Sequence, residues 1–274
     1  MINKFSSGKI RIRSFSKDSI WIFSTLIVLL GLTIAGLFFL DTKGVGLVEG
    51  FLSFFEEAGD MFLTPWLEPE RWADTGYKLL ITLGLAFLTT ILGAVLAIFL
   101  GLLAARNLST PWLSQTVRGI VTFFRAVPTV LWVLIFAIGA GLGSVAAVIG
   151  MSFHTISYLT KAYSESYEEL DPGVIEALKA SGASWPQIIF QAVLPSSASY
   201  LLSWTFVRFE INFAVAVAMG AAAGAGGIGF DLMWASAREF RTEKVGFLVY
   251  AILVVALILE VLATRMKKRL MVKK

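Results

Sequence analysis

The chain has 274 residues and a formal net charge of +4; 57% of its residues are hydrophobic and 15% charged. Soluble domains carry about 25% charged residues, and a mean hydropathy of +0.78 implies more apolar surface than water can solvate, so a soluble single domain is excluded. With no Cys and one His, His154, the chain lacks the side chains for disulfides, Cys-rich zinc sites, iron–sulfur clusters, thiol nucleophiles or a multi-histidine metal site. It has no G-x-x-x-x-G-K-[ST] loop with which to bind ATP.

The first apolar run, 20–40, reaches about 31 Å as a helix and matches a hydrocarbon core of roughly 30 Å. It exceeds a signal-peptide core and no A-x-A-like cleavage site follows, so it reads as a retained span. An acid-rich segment follows over 41–77, with Glu49, Glu56, Glu57, Asp60, Glu68, Glu70 and Asp74 against Lys43 and Arg71. Apolar residues from Leu47 to Phe62 fall at a helical period. The segment is either a helix lying on the outer membrane surface, with Trp66 and Trp72 in the interfacial belt, or a solvated connector. Further runs at 78–105, 119–140, 144–163, 188–212 and 245–264 bring the expected spans to six.

Lys4, Lys9, Arg11, Arg13 and Lys17 precede the first span, and Arg265, Lys267, Lys268, Arg269, Lys273 and Lys274 follow the last. Basic flanks stay in the cytoplasm, which puts both termini there and agrees with an even number of crossings. The expected organisation is a basic N-terminus (1–19), a first span (20–40), an external segment (41–77), a core (78–264) and a basic tail (265–274).

By this count 164–187 is cytoplasmic, yet it holds Glu165, Glu168, Glu169, Asp171 and Glu176 against Lys179 alone. Asp171 and Pro172 open a helix, since Pro suits the first turn and an acid favours the helix dipole there. The small-residue stretch after Gly173 then runs to Ser181, and Gly182 offers a left-handed stop. The spacing predicts a short helix over about 171–183, a glycine break and a second helix entering the membrane.

Glu176-Ala177-Leu178, Gly182 and Ala192-Val193-Leu194-Pro195 resemble the E-A-A-x3-G-x9-I-x-L-P motif of ABC-importer membrane subunits, with Leu178 and Ala192 departing from it. Gly101-Leu102-Leu103-Ala104-Ala105-Arg106-Asn107, Arg125-Ala126-Val127-Pro128 with Trp132, His154-Thr155-Ile156, Arg208-Phe209-Glu210-Ile211-Asn212 and Gly224-Ala225-Gly226-Gly227-Ile228-Gly229 resemble the phosphonate/phosphite permeases within that class. They cover most of the chain from Leu79 onward, but Ala214-Val215-Ala216 stands where that family has a basic stretch. The resemblance implies an all-α, polytopic membrane protein of about six transmembrane helices with the type I ABC importer permease fold. It implies a non-catalytic subunit that moves a phosphonate, phosphite or related phosphorus oxyanion inward through the cell inner membrane. A homodimer of such subunits, two ATPase subunits holding ATP and Mg, and an external solute-binding protein are the implied partners. Neither a cofactor bound by this chain nor a nucleic-acid partner is implied.

The coupling contact with the ATPase is expected at Glu176, Ala177, Lys179, Ala180, Gly182, Leu194 and Pro195: small side chains permit close approach, and Glu176 and Lys179 supply polar contacts at the rim. Arg125, His154, Arg208, Glu210 and Asn212 are the pathway candidates. An intramembrane His either bridges helices or lines a pathway, and Arg125 is either a pathway residue or a positive-inside anchor. Arg208 and Glu210, two apart, do not face each other on a helix; a charge at the helix centre costs roughly 2.5–3.5 kcal/mol on insertion, so each should meet a cavity, a partner or the interface. Gly224, Gly226, Gly227 and Gly229 formally satisfy G-x-G-x-x-G without the βαβ unit a dinucleotide site requires. They are expected instead as gate or packing glycines.

The nearest rival is an importer permease for methionine or a sulfonate. More distant are a secondary transporter and an intramembrane enzyme pairing His154 with Ser152 or Ser157, for which no G-x-S-x-G or H-E-x-x-H is present.

Overall fold

The computed structural model describes residues 17–39 and 44–271. The expected basic positions Lys4, Lys9, Arg11, Arg13, Lys273 and Lys274, and the start of the acidic segment at 41–43, lie outside them. The described residues form helices and no strand. Those up to Glu56 make one unit and those from Glu57 onward a second. In the first unit, α1 (Lys17–Phe38) exposes Ile20, Leu26, Leu30 and Leu37 to its surroundings. Helix α2 (Leu47–Leu63) forms where the acidic segment was expected to be helical and contributes to both units.

In the second unit a 3-10 turn (Pro69–Arg71) leads into α3 (Trp72–Ala104). Then come α4 (Pro111–Ala126), α5 (Thr129–Ala140), α6 (Ser144–Glu168), α7 (Pro172–Ala180) and α8 (Trp185–Ile188). A π turn (Ile189–Val193) opens α9 (Leu194–Ala223), and after α10 (Gly227–Trp234) a second π turn (Ala235–Glu239) precedes α11 (Thr242–Met271). Among the described residues, four helical stretches are long and apolar enough to cross a bilayer: Ser19–Phe38, Pro69–Ala104, Trp185–Ala223 and Thr242–Leu270.

Two expected spans differ from the reading above. The run over 119–140 is broken rather than straight: α4 and α5 meet at 87°. Pro128 has no N–H for the Phe124 carbonyl four residues back, and that carbonyl instead accepts from the Trp132 indole at 3.2 Å. The run over 144–163 becomes α6, whose 25 residues reach about 37 Å, yet it is not among the stretches apolar enough to span. The reason is its position. Packed against α3, α4, α5 and α9, α6 meets protein where the outer helices meet lipid, so it can bury Ser152, Thr155, Ser157, Thr160, Ser164 and Ser166.

Small residues bring α6 this close. A Cβ on Gly150 would lie 2.5 Å from the Val133 Cα, and one on Gly101 3.1 Å from the Tyr163 Cβ. Two buried clusters flank the helix. One joins Leu159, Tyr163 and Tyr167 to Ile175, Ile188 and Val193, and the other joins Met151 to Leu85, Val133, Phe213 and Met219.

Candidate functional site

Helix α7 is fastened at both ends by its own sequence. Asp171 Oδ1 accepts from the Gly173 N–H at 2.9 Å, the N-cap arrangement that satisfies an otherwise orphaned donor. At the other end Gly182 takes φ of +84°, and its N–H donates to the Lys179 carbonyl while the Ala183 N–H donates to the Leu178 carbonyl, each at 3.0 Å. This is the paired Schellman closure, which requires a left-handed residue at that point. Ile175 is buried and Leu178 packs against the same cluster, so both face inward. Val174, Glu176, Ala177, Lys179 and Ala180 are exposed. Leu178 and Ala192, the departures from the E-A-A pattern, thus occupy inward positions and leave the small outer face intact. Leu194 packs against the core, and Pro195 opens α9 just after the π turn.

The acids near α7 are mostly engaged within the chain. Glu168 Oε1 accepts from the Arg106 backbone N–H and from Arg118 Nη2, both at 2.6 Å. Arg118 Nε and Ser114 Oγ donate to the terminal Ala104 carbonyl of α3 at 2.9 and 2.6 Å. Asn107 donates to the Tyr167 carbonyl at 2.8 Å, and the Trp185 indole to the Leu108 carbonyl at 3.0 Å. The turn between α3 and α4 is therefore held from both flanks of α7. Glu165 lies 3.7 Å from Lys161, which leaves Glu169, Asp171 and Glu176 as the exposed acids of the segment without an ion pair among the described residues, Asp171 being the N-cap of α7.

A second constellation crosses the middle of α3, α6 and α9. Because α9 runs to Ala223, beyond the expected end at 212, Arg208 and Asn212 sit mid-helix, one turn apart on one face. Asn212, fully buried, donates from Nδ2 to Thr90 Oγ1 at 2.8 Å and accepts at Oδ1 from Thr155 Oγ1 at 3.1 Å. Arg208 is 3% exposed. Its Nε and Nη2 lie 3.3 and 3.1 Å from Thr155 Oγ1, its Nη2 3.5 Å from His154 Nδ1, and its guanidinium 5.1 Å from the Tyr158 ring centre. All these partners are neutral or can be, and no carboxylate pairs with Arg208 among the described residues.

His154 and Asn212 thus join Arg208, while Glu210 does not. It turns toward α11, where Glu260 is its charged neighbour. Arg125 stands on the exposed side near the end of α4, in a cavity shared with Lys161. Sequence reasoning missed Thr90 and Tyr158, and met Thr155 only within the His154-Thr155-Ile156 resemblance without giving it a role, since hydroxyl-bearing residues show their partners only when packing brings them together.

The glycine segment is a tight reversal that lays α10 back on α9. Gly224 at φ +60° ends α9 and Gly226 takes φ of +80°. A Cβ on Gly229 would collide with the Val217 carbonyl, and one on Gly227 with the Thr82 hydroxyl. Thr82 Oγ1 accepts the Ile228 N–H at 3.1 Å, and Lys78 bridges Asp231 and Asp74 at 2.6 and 2.7 Å, which fixes α10 to α3. Close packing is therefore the use these glycines visibly have. Beyond α10, Glu239 pairs with Lys244 at 2.7 Å, and this bond holds its carboxyl below the usual range. Arg241 pairs with Glu68 at 2.8 Å, and Trp72 stacks on Phe247 with centroids 5.8 Å apart.

The family model described as binding-protein-dependent transport system inner membrane component matches residues 97–271. The chain is 33% identical over 190 residues to the phosphate-import permease protein PhnE of Mycolicibacterium smegmatis, a match covering 69% of this chain and 35% of that protein. It is 28% identical over 200 residues to the phosphite transport system permease protein PtxC of Stutzerimonas stutzeri, covering 71% of this chain and 72% of that one. The chain thus spans about a third of the first relative's length. Its fold superposes on a chain of an inward-facing MetNI methionine ABC transporter with a TM-score of 0.67 at 19% identity, over 74% of this chain and 99% of that chain. The all-helical, multi-pass architecture is the type I ABC importer permease fold, and the chain belongs to the family of binding-protein-dependent transport system inner membrane components.

Proposed function

We propose that this chain is the non-catalytic permease subunit of an ATP-driven importer for a phosphonate, phosphite or related phosphorus oxyanion. The observation that carries the reading is α7: a rigid short helix, capped at both ends, that offers a small-residue outer face and is braced against the turn between α3 and α4. ATP and Mg belong on two partner ATPase subunits that receive this face at Glu176, Ala177, Lys179, Ala180 and Gly182, with Leu194 and Pro195 setting the angle of the helix that follows. Two copies of the chain form the pathway, and an external solute-binding protein delivers the substrate.

The coupling mechanism is thermodynamic. ATP favours closure of the ATPase pair, and the α7 helices move with it only if they are bound differently in the two states. Bracing by Glu168 and Trp185 makes that displacement reach α3, α4 and α6 together instead of being absorbed in the loops. Lys267, near the C-terminal end of α11, lies 5.4 Å from the Trp204 ring in the first half of α9, the half nearer α7, which supports a C-terminus on the same side as α7. Together with the basic flanks, it supports the reading of an inner-membrane protein with both termini in the cytoplasm.

For substrate class, the names of the two relatives support a phosphorus oxyanion. So does Arg208, a mid-membrane cation held by His154, Thr155 and Tyr158 with no acid to neutralise it, on the same face of α9 as Asn212. It stands nearly two turns before Ala214-Val215-Ala216, where the related basic stretch is missing. Cationic groups along a route lower the barrier for anions. The enzyme alternative gains no support, because the Ser152 and Ser157 hydroxyls donate to the Val148 and Phe153 carbonyls of their own helix at 2.6 and 2.8 Å. Uptake by a phosphorus-starved strain lacking its own importer tests the assignment. Growth on phosphite or methylphosphonate that requires this chain, its ATPase and its binding protein is expected; rescue of methionine uptake alone would replace the substrate with that of the rival reading.

A further inference from the structure

On the side of the membrane domain that carries α7, α4 and α6 enclose an open cavity of about 490 Å³ lined by Arg118, Thr122, Arg125, Thr160, Lys161 and Ser164 among others. That volume lies within the range of small-ligand sites, about 300–1,000 Å³. Three cations reach it from two helices, and no carboxylate lines it. Arg118 is held at 2.6 Å by Glu168, and Lys161 is 3.7 Å from Glu165; Arg125 has no carboxylate partner among the described residues. Arg125 and Lys161 also line the adjoining cavity of about 190 Å³.

A second observation points to a ligand. The buried Ser and Thr hydroxyls of α6 bond to carbonyls of their own helix: Ser152 at 2.6 Å, Thr155 at 3.0 Å, Ser157 at 2.8 Å, and Ser164 and Ser166 at 2.9 Å. Thr160, 1% exposed and part of the cavity wall, is the exception: its Oγ1 has no partner. A buried hydroxyl without a partner is costly, and here it stands beside cations whose geometry suits phosphate-type oxygens. Arg offers a bidentate fork and Lys a point charge.

We propose that this cavity is an oxyanion site in which Arg125 and Lys161 hold a tetrahedral phosphorus oxyanion, with Arg118 beside them and Thr160 in the wall behind. The proposal rests on the reading of the chain as a phosphorus-oxyanion importer, in which this cavity is where the anion is last held before release to the cytoplasm. A free oxyanion and the phosphate of a lipid headgroup share this chemistry, and the test separates them.

The full-length chain in phosphatidylcholine nanodiscs is titrated with inorganic phosphate by calorimetry, beside Arg125→Gln/Lys161→Gln and the charge-keeping Arg125→Lys. Saturable binding that weakens at least tenfold in the double variant, with Arg125→Lys intermediate, supports the site as one for the free anion. If phosphate binds weakly but phosphatidylglycerol is retained through the same two residues, the site stands with a headgroup as its occupant. Equal binding in wild type and double variant, or no binding of either anion, overturns it. Circular dichroism confirms that the variants are folded, and Arg125→Lys carries the comparison if the double variant is not. The two readings fail separately: cells that take up no phosphorus oxyanion through this chain would reject the importer assignment, while residue-dependent phosphate binding would still establish the site.

Discussion

Replacing Gly182 by alanine isolates what the end of α7 contributes. A Cβ at this position meets nothing within 4 Å, so no steric clash enters the comparison and the cost is conformational. At φ of +84° an alanine is held in the left-handed region at about 1–2 kcal/mol, opposed by the two closing hydrogen bonds at 3.0 Å from Gly182 to Lys179 and from Ala183 to Leu178. One or two kcal/mol shifts an equilibrium by roughly 5- to 30-fold, here from the closed end of α7 toward a frayed one. Asparagine visits the left-handed region far more readily than alanine, so Gly182→Asn retains most of the closure. The assay is ATPase stimulation by substrate-loaded binding protein in the reconstituted complex. Gly182→Ala should lower stimulation several-fold with membrane insertion unchanged, and Gly182→Asn should fall between it and wild type. Wild-type stimulation in Gly182→Ala, or equal loss in both variants, would refute the argument that the left-handed closure transmits the motion.

Other positions give equally direct outcomes. Glu168→Gln keeps the shape but removes the charge that accepts from Arg106 and Arg118 at 2.6 Å. A loss of about 1–2 kcal/mol is expected, reduced for the partial exposure of the pair, and a lowered melting temperature by tryptophan fluorescence would report it. Gly229→Ala drives a Cβ into the Val217 carbonyl, an overpacking worth about 1–3 kcal/mol or more, and should sharply reduce folded protein in the membrane. Gly119→Ala, with nothing within 4 Å of its added Cβ, should be tolerated. The Glu239 carboxyl is held below its usual range chiefly by the Lys244 hydrogen bond. The stabilisation is therefore complete above the unfolded carboxylate pKa of about 4.3 and is lost as pH falls through the lower folded value. The protection of the amides over 240–246, relative to their intrinsic exchange rates at each pH, should be high at neutral pH and fall in acid, and Glu239→Gln should remove that acid step.

Much of the architecture was legible because lipid imposes a simple rule on sequence: where a helix faces hydrocarbon, its residues are apolar, as α3, α9 and α11 illustrate. The amphipathic helix at 47–63 and the capped helix after Asp171 were legible for local reasons, period in one case and Pro, Asp and Gly chemistry in the other. The rule weakens for α6, which protein surrounds and which can therefore carry six buried hydroxyls of Ser and Thr. It also missed the bend between α4 and α5, although Pro128 in mid-run was the available signal.

Among the acids around α7, Asp171 was read as opening the helix and Glu176 as a contact at its rim; the structure divides the others, with Glu168 bracing the turn between α3 and α4 and Glu165 beside Lys161. Such a division depends on pairs far apart in the chain. Lys78 with Asp231 and Glu168 with Arg118 are separated by 153 and 50 positions, and no local pattern reports them. The grouping of Thr90, Thr155, Arg208 and Asn212 was hidden for the same reason.

The central claim is that α7 couples a partner ATPase to the passage of a phosphorus oxyanion through this chain. The most direct measurement is ATP-dependent uptake of labelled phosphite and methylphosphonate into proteoliposomes holding the complete complex with its binding protein, for wild type and for Glu176→Lys on the exposed face of α7. The account predicts uptake by wild type and strong loss in Glu176→Lys, with the variant still inserted and folded. Unchanged uptake in the variant, or wild-type transport of methionine with neither phosphorus compound, would contradict it.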